Sequence, residues 1–264
     1  MDEFSKHRQD FSISSYELNP LAKARLSTLA NYFQEVAYHH ANLLGFGYED
    51  LKKQDTVWLL SRMKIRVDRY PVWNDMIRVE TWPSGTNRLF AQRDFRVLDR
   101  EGSTLAIAST SWLVVDLETH RPLRSGPVIE RFLKVGHGPY QFEKVMEKIP
   151  ELKGDRKTMK RRVVYSDLDI VGHVNNVKYL EWCLDMLNSG GKIREIREFE
   201  INFLHECRLN ENIELSMSGP AGMDSGGSAS ASADSEGNVV DRACVFNGAR
   251  EKDGTEVFRA RALW

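Results

Sequence analysis

The chain carries two copies of one pattern, and this repeat limits its fold more than any other feature. Met63 to Thr81 can be laid without gaps over Phe199 to Met217. In that register Ile65 falls on Ile201, Val67 on Phe203, Asn74 on Asn210, Asp75 on Glu211, Ile77 on Ile213 and Val79 on Leu215. Each copy reads as an alternating strand, a polar turn and a second alternating strand. A helix is expected upstream of each, over Pro20 to Leu44 and over Asn176 to Leu187. Asn19-Pro20 starts the first and Gly45 ends it. Downstream, strands at Arg88–Leu98 and Thr104–Val115 match strands at Ser225–Asp234 and Val239–Arg250, joined by the turns Asp99-Arg-Glu-Gly102 and Asp234-Ser-Glu-Gly237. A last strand runs from Val257 to Trp264.

A curved antiparallel sheet acquires a core when it wraps around one apolar helix. The pattern therefore predicts an α+β fold of two tandem hot-dog units, each a sheet around a central helix. A sandwich fits less well, because it would not place a buried helix after the first strand in both copies. The expected division is an N-terminal unit over 1–125, a linker over 126–158 and a C-terminal unit over 159–264. Pro122, Gly126-Pro127, Gly136, Gly138-Pro139 and Pro150 punctuate the region between the units, and a short helix is expected at Gln141–Lys148. The alternating Ser-Ala stretch after Gly219–Gly227 reads as an edge strand or a spot of tight packing.

Composition narrows the function. The 264 residues are 41% hydrophobic, enough for a sizeable core, and the formal charge of -1 argues against a general nucleic-acid binder. No apolar run approaches the ~20 residues of a membrane span. The first ten residues lack the apolar core of a secretory signal and are too acidic for a typical transit peptide. Cys183, Cys207 and Cys244 are too widely spaced for a disulfide framework or a metal site. Together these point to the cytoplasm, with no cofactor or metal.

The chemistry concentrates in Tyr165 to Tyr179, which holds Asp167, Asp169, His173, Asn175 and Asn176 just ahead of the second helix. On that helix Val177, Leu180, Leu184 and Leu187 share one face, Asn175 or Asn176 is the N-cap, and Asn188-Ser-Gly-Gly191 is the stop. The polar cluster thus sits beside unpaired N–H groups and the positive end of the helix dipole. The first half has Tyr16-Glu-Leu-Asn-Pro20 at the matching entry, with no histidine, and Arg69-Tyr70-Pro71 where the second has His205-Glu206-Cys207. This asymmetry suggests that the first half helps to form a binding cavity and the second half acts. Asp167 reads as a loop brace, Asn176 as a cap, His205 as a solvent-facing strand residue, and Cys183 and Cys244 as buried side chains. His39-His40 have no partner ligands in the sequence and read as core or surface groups.

Ser166 to Tyr179, with Phe203-Leu-His-Glu-Cys-Arg208 downstream, resembles the acyl-acyl carrier protein (acyl-ACP) thioesterases, and the likeness extends over nearly the whole chain. The resemblance implies hydrolysis of fatty acyl-ACP with release of free fatty acid, terminating or regulating fatty acid synthesis. In the family motif Asp-x-Asn-x-His-x-Asn, Asp169, His173 and Asn175 match their counterparts, and Glu206 and Cys207 match the downstream pair. Val171 replaces the first asparagine and cannot hydrogen-bond a water or a thioester oxygen, so that role is either absent or supplied by another group such as Asn175 or Asn176. Units of this kind associate through their sheets, which makes a homodimer compatible with the resemblance.

Two reaction schemes remain open. In one, Glu206 or Asp169 positions or deprotonates water, His173 passes a proton to the leaving thiol, and the helix N-terminus near Val174 and Asn175 donates to the oxyanion. In the other, Cys207 is a nucleophile activated by His173. The first is preferred, because successive strand residues face opposite sides and Glu206 and Cys207 could not both face one site. Leu29, Phe33, Val36, Ala37 and Leu44 are expected to line an acyl cavity. Lys153, Arg156, Lys157, Lys160, Arg161 and Arg162 form a basic cluster suited to an acidic carrier protein, or simply a solvated charge run. An acyl-CoA thioesterase, a dehydratase of the same fold and a non-enzymatic acyl-binding protein are the competing readings.

Overall fold

A computed structural model describes residues 5–124, 126–144, 146–219 and 242–264. The chain divides into two compact units, Met1–Glu147 and Lys148–Trp264. The first contains strands β1 (His7–Ser12), β2 (Thr56–Val67), β3 (Met76–Asn87), β4 (Phe90–Leu98) and β5 (Thr104–Asp116), with helices α1 (Leu26–Leu43), α2 (Tyr48–Lys52) and α3 (Pro127–Lys134). The second contains β6 (Lys157–Arg162), α4 (Asn176–Asn188), β7 (Glu198–Phe203), β8 (Asn212–Ser218), β9 (Ala243–Arg250) and β10 (Glu256–Leu263).

Within the first unit the strands lie in the order β1-β3-β4-β5-β2; within the second they lie in the order β6-β8-β9-β10-β7, all neighbours antiparallel. The two orders are the same once β6 is matched to β1 and β7 to β2. The strands on either side of the Asn74 and Asn210 turns are therefore not paired with each other. β2 pairs with β5 and β3 with β1 and β4, because the sequence between them crosses the sheet rather than closing a hairpin. Asn74 and Asn210 take φ of 65° and 69°, a conformation asparagine accepts more readily than most residues.

Each sheet holds its helix by apolar contact. On α1, Leu29, Phe33 and Val36 are fully buried, Phe33 meets Phe95 with ring centroids 5.0 Å apart, and Tyr32 stacks on Phe11 at 4.1 Å. On α4, Leu180, Trp182 and Cys183 are buried, and Tyr179 packs against Phe203 and Phe258 at 5.8 and 5.4 Å. Of the residues expected to line a cavity, Leu29, Phe33, Val36 and Ala37 belong to this buried helix face, while Leu44 joins the cluster around Phe46, Leu51 and Phe132.

Several expectations change. The first helix begins at Leu26, not Pro20, because residues 19–24 form a hydrogen-bonded turn in which Ala22 takes φ of 58°. Its end agrees, with Gly45 at φ of 72° just past the C-cap Leu44. Gln141–Lys148 forms no helix among its described residues, which are bends and irregular backbone, and Phe142 takes cation–π contacts from Lys64 and Arg66. The helix of this region lies earlier, at α3, entered through Gly126-Pro127. The strand expected at Ser225–Asp234 lies outside the described residues.

One polar group is buried without a charge partner in the first sheet. Asp94 on β4 is fully buried, takes a hydrogen bond from the Ser109 hydroxyl, and lies against the Ser84 hydroxyl and the Gln141 backbone. Burial pushes its carboxyl up to about 7. A folded-state value above the ordinary carboxylate value of 3.8 means that unfolding releases a proton between those limits. Stability is then lost as pH rises from about 4 to about 7, and the penalty stays constant above. Asp94→Asn, which stays neutral and can donate to Ser84, is expected to raise the unfolding midpoint by about 5 °C at pH 8 and leave it unchanged at pH 4. Thermal denaturation at both pH values measures this.

Candidate active site

The segment that enters α4 is a hydrogen-bonded turn built around Asp169. Asp169 Oδ1 accepts from the backbone N–H of Val171 at 2.9 Å and of His173 at 3.2 Å. The Asp169 N–H donates to the His173 carbonyl at 2.8 Å, and Gly172 closes the turn at φ of 86°. Behind it, buried Asp167 accepts from Val164 N–H at 2.9 Å and from Arg161 at 3.3 Å. The Arg161 guanidinium also covers the Trp182 ring at 5.1 Å and pairs with Asp185 at 3.5 Å. Asn175 is the N-cap, its Oδ1 accepting from Val177 N–H at 2.9 Å.

The same turn stands ahead of α1. Asn19 Oδ1 accepts from Leu21 and Lys23 N–H at 2.9 and 3.2 Å, Glu17 accepts from Ser14 N–H at 2.7 Å, and Ala22 takes the place of Gly172. The turn is thus a duplicated device, and what differs is the side chain it presents. Lys23 stands at the position of His173, and Arg25 at that of Asn175. Lys23 lies three residues beyond the Tyr16–Pro20 entry, so sequence alone does not match it to His173.

The loop after β7 completes the arrangement. Val174 N–H donates to the Cys207 carbonyl at 2.9 Å, and His173 bridges to Arg208. This places the Glu206 carboxylate 3.3 Å from His173 Nδ1. The His173 side chain is 23% exposed and that of Glu206 50%, so the pair opens to solvent at the end of the unit. Val171, Ile170, Tyr165 and Leu209 are exposed apolar side chains of the same turn and loop.

Cys207 points the other way. It is fully buried, lies against the Tyr179 hydroxyl and Arg250, and burial pushes its thiol up to about 11. A thiol with that value is ionised to about one part in 10⁴ at pH 7. The two residues do face opposite sides, although the reason is not strand alternation: β7 ends at Phe203, and both lie in the irregular loop beyond it. His205 is in that loop too, exposed, with Nδ1 at 2.7 Å from the Glu256 carbonyl.

The backbone donors expected for an oxyanion need correction. The N–H groups of Val174 and Asn175 are engaged by the carbonyls of Cys207 and Asp167, each at 2.9 Å. Asn175 retains its side-chain amide N–H₂ as a donor, since only its Oδ1 is occupied by the cap. Asn176 begins the helix rather than capping it. His40 is buried between Ser5 and Arg93 in the first unit, and His39 pairs with Glu35 on the surface. Among the described residues no group of three or more His, Cys, Asp or Glu side chains is arranged to hold a metal ion, and no helix is long and apolar enough to cross a membrane.

The duplicated turn generates a test. Since an amide does the same bracing in the first unit, Asp169→Asn is expected to keep the unfolding midpoint within about 2 °C. Asp169→Ala leaves two N–H groups without their acceptor and should cost about 1–2 kcal/mol in denaturant unfolding.

Residues 5–130 match the acyl-ACP thioesterase N-terminal domain and residues 151–264 the acyl-ACP thioesterase C-terminal domain. A palmitoyl-acyl carrier protein thioesterase, chloroplastic, of Arabidopsis thaliana is 32% identical over 97% of this chain, which spans 63% of that relative's length. The 12:0-ACP thioesterase from Umbellularia californica has a similar structure, with a TM-score of 0.77 at 25% identity, over 98% of this chain and 93% of that one. An acyl-ACP thioesterase from Bacteroides thetaiotaomicron shares the fold, with a TM-score of 0.78 at 24% identity, over 98% and 97% of the two chains. A tandem pair of hot-dog units, with a histidine–carboxylate pair at the helix-entry turn of the second and both domain matches in order, makes this chain a member of the acyl-ACP thioesterase family.

Proposed function

We propose that this protein hydrolyses the thioester of fatty acyl-ACP and releases the free fatty acid. The observation that carries the reading is the His173–Glu206 pair, 3.3 Å apart, on a turn whose counterpart in the first unit has lysine in place of the histidine. Thioester hydrolysis needs a group to take a proton from water, a group to return one to the leaving thiol, and a donor for the oxyanion. Glu206, half-exposed, is placed to hold and deprotonate water. His173, oriented through Nδ1 by Glu206, protonates the departing sulfur through its other nitrogen. The Asn175 amide donates to the thioester oxygen. Asp169 fixes the backbone on which His173 stands. Cys207, buried and protonated, supports the loop and is not the nucleophile.

Water attack at the carbonyl forms the C–O bond and a tetrahedral oxyanion. Its collapse breaks the C–S bond, so the products are a carboxylate and the protonated carrier thiol. Relatives named for palmitoyl, dodecanoyl and oleoyl substrates support a fatty acyl chain as the cargo. Each CH₂ buried contributes only about 0.8 kcal/mol, so sharp selection of chain length requires a steric stop. The three cysteines are free and buried, which supports a reducing compartment, proposed to be the cytoplasm.

His173→Ala and Glu206→Ala are each expected to lower kcat by about 10²- to 10⁴-fold, while Cys207→Ala keeps kcat within about tenfold. Free-acid release from a panel of carrier-bound acyl chains measures this; a folded but inactive Cys207→Ala would reverse the two roles.

The carrier handle has its own test. Arg161 is tied to Asp167, Asp185 and Trp182, and Lys160 to Glu251 at 2.6 Å, so the free part of the basic cluster is its upstream end. Lys153 and Arg156 are exposed there. Reversing both to glutamate is expected to raise KM about fivefold or more for acyl-ACP and to leave KM for the matching acyl-CoA unchanged. An equal rise for both thioesters would contradict carrier docking at this surface.

A further inference from the structure

A glutamate on an irregular loop is a poor place for chemistry unless the loop is held. Glu206 has a side chain with several rotatable bonds, and its carboxylate is half-exposed, so its distance from His173 depends on where the backbone of residue 206 sits. Three interactions define that backbone. Val174 N–H holds the Cys207 carbonyl from the α4 side. The Tyr179 hydroxyl, buried in α4 among Trp182, Phe203 and Phe258, reaches the Cys207 thiol. The third comes from across the unit, where Nη2 of Arg250, the last residue of β9, donates to the Glu206 carbonyl itself.

Arg250 is well placed to act as a fixed point. Its backbone is pinned at the start of the β9–β10 turn, donating to the Thr255 carbonyl and accepting from Gly254 N–H, each at 2.9 Å. Its Nε lies 3.4 Å from Glu211 Oε1, and Glu211 in turn accepts from Arg208 N–H at 2.9 Å. One guanidinium thus touches both ends of the loop from 206 to 211 and lies against the Cys207 thiol between them. The planar guanidinium donates to a carbonyl on one side and sets its charge against a carboxylate on the other.

The first unit lacks this clamp. The register Arg78↔Leu98 in that sheet corresponds to Glu214↔Ala249 in the second, so Asp99 takes the place of Arg250. There an acid bonds the Arg69 side chain and the Ser103 N–H. The unit with tyrosine at the position of Glu206 has a strut from strand end to side chain. The unit with the acid has a cation bound to the acid's own peptide.

We infer that Arg250 is a positioning residue for the hydrolysis, holding the Glu206 peptide so that its carboxylate stays within reach of His173. The inference rests on the proposed role of Glu206. It assigns to β9 a function that the motif residues themselves do not reveal.

The test is a double-mutant cycle on the full chain with acyl-ACP as substrate. Arg250→Ala is expected to lower kcat about tenfold or more with KM within about twofold. Arg250→Lys, which keeps a cation and an N–H for the carbonyl, should recover most of the loss and covers the case in which the alanine variant fails to fold. In a Glu206→Ala background, Arg250→Ala should change kcat by less than about twofold, because the group it positions is gone. Arg69→Ala, which removes the strut of the first unit, should leave kcat within about twofold.

An Arg250 loss that persists in full in the Glu206→Ala background overturns the clamp, since the arginine would then act through the general fold. So does an equal loss from Arg69→Ala. A fully active Glu206→Ala enzyme would overturn the reading of the site itself, and the single mutant alone tells that failure apart from failure of the clamp.

Discussion

Everything at the candidate site depends on one carboxylate oxygen. Asp169 Oδ1 takes two backbone N–H groups, and in doing so folds residues 169–173 into a turn that delivers the chain into α4. Once that turn is set, Val174 N–H faces the Cys207 carbonyl, and a backbone hydrogen bond joins the two segments that carry His173 and Glu206. The reactive side chains therefore need little direct bonding of their own. An amide performs the same bracing at Asn19, which shows that the geometry of the turn does not require a charge.

The duplication explains how one half can specialise. Both units build the same strand order, helix and turn, so the stability of the scaffold does not rest on the polar residues at its mouth. The position that carries histidine in one copy carries lysine in the other, and glutamate is matched by tyrosine. Even the outer support differs in sign, with Asp99 on Arg69 in the first unit and Arg250 on the Glu206 peptide in the second. Substitution at these points alters chemistry while the turn, the cap and the buried helix remain in place.

Much of this was legible in the sequence, because alternation and the 136-residue offset between copies report directly on burial. The strands at 90–98 and 104–116, the helix from Asn176 and its cap at Asn175 followed from local pattern. Asn19-Pro20 is a good start signal, yet the first helix begins six residues later, at Leu26. The turn that uses Asn19 as an acceptor looks the same in sequence as a cap. The local pattern points to a short helix at 141–148, whereas the helix forms at 127–134 and Phe142 instead meets Lys64 and Arg66. Arg250 carries no signal at all: 44 positions separate it from Glu206, and only the register of β8 with β9 brings it there.

The central claim is that water, held by Glu206 and His173, attacks the thioester directly, without an acyl intermediate on the buried thiol. Rapid-quench kinetics with intact-mass analysis of the protein tests this most directly. The account predicts that fatty acid appears linearly from the first turnover, with no burst, and that the mass of the chain stays unchanged throughout. A burst of carrier thiol accompanied by an acyl mass increment mapping to Cys207 would contradict it.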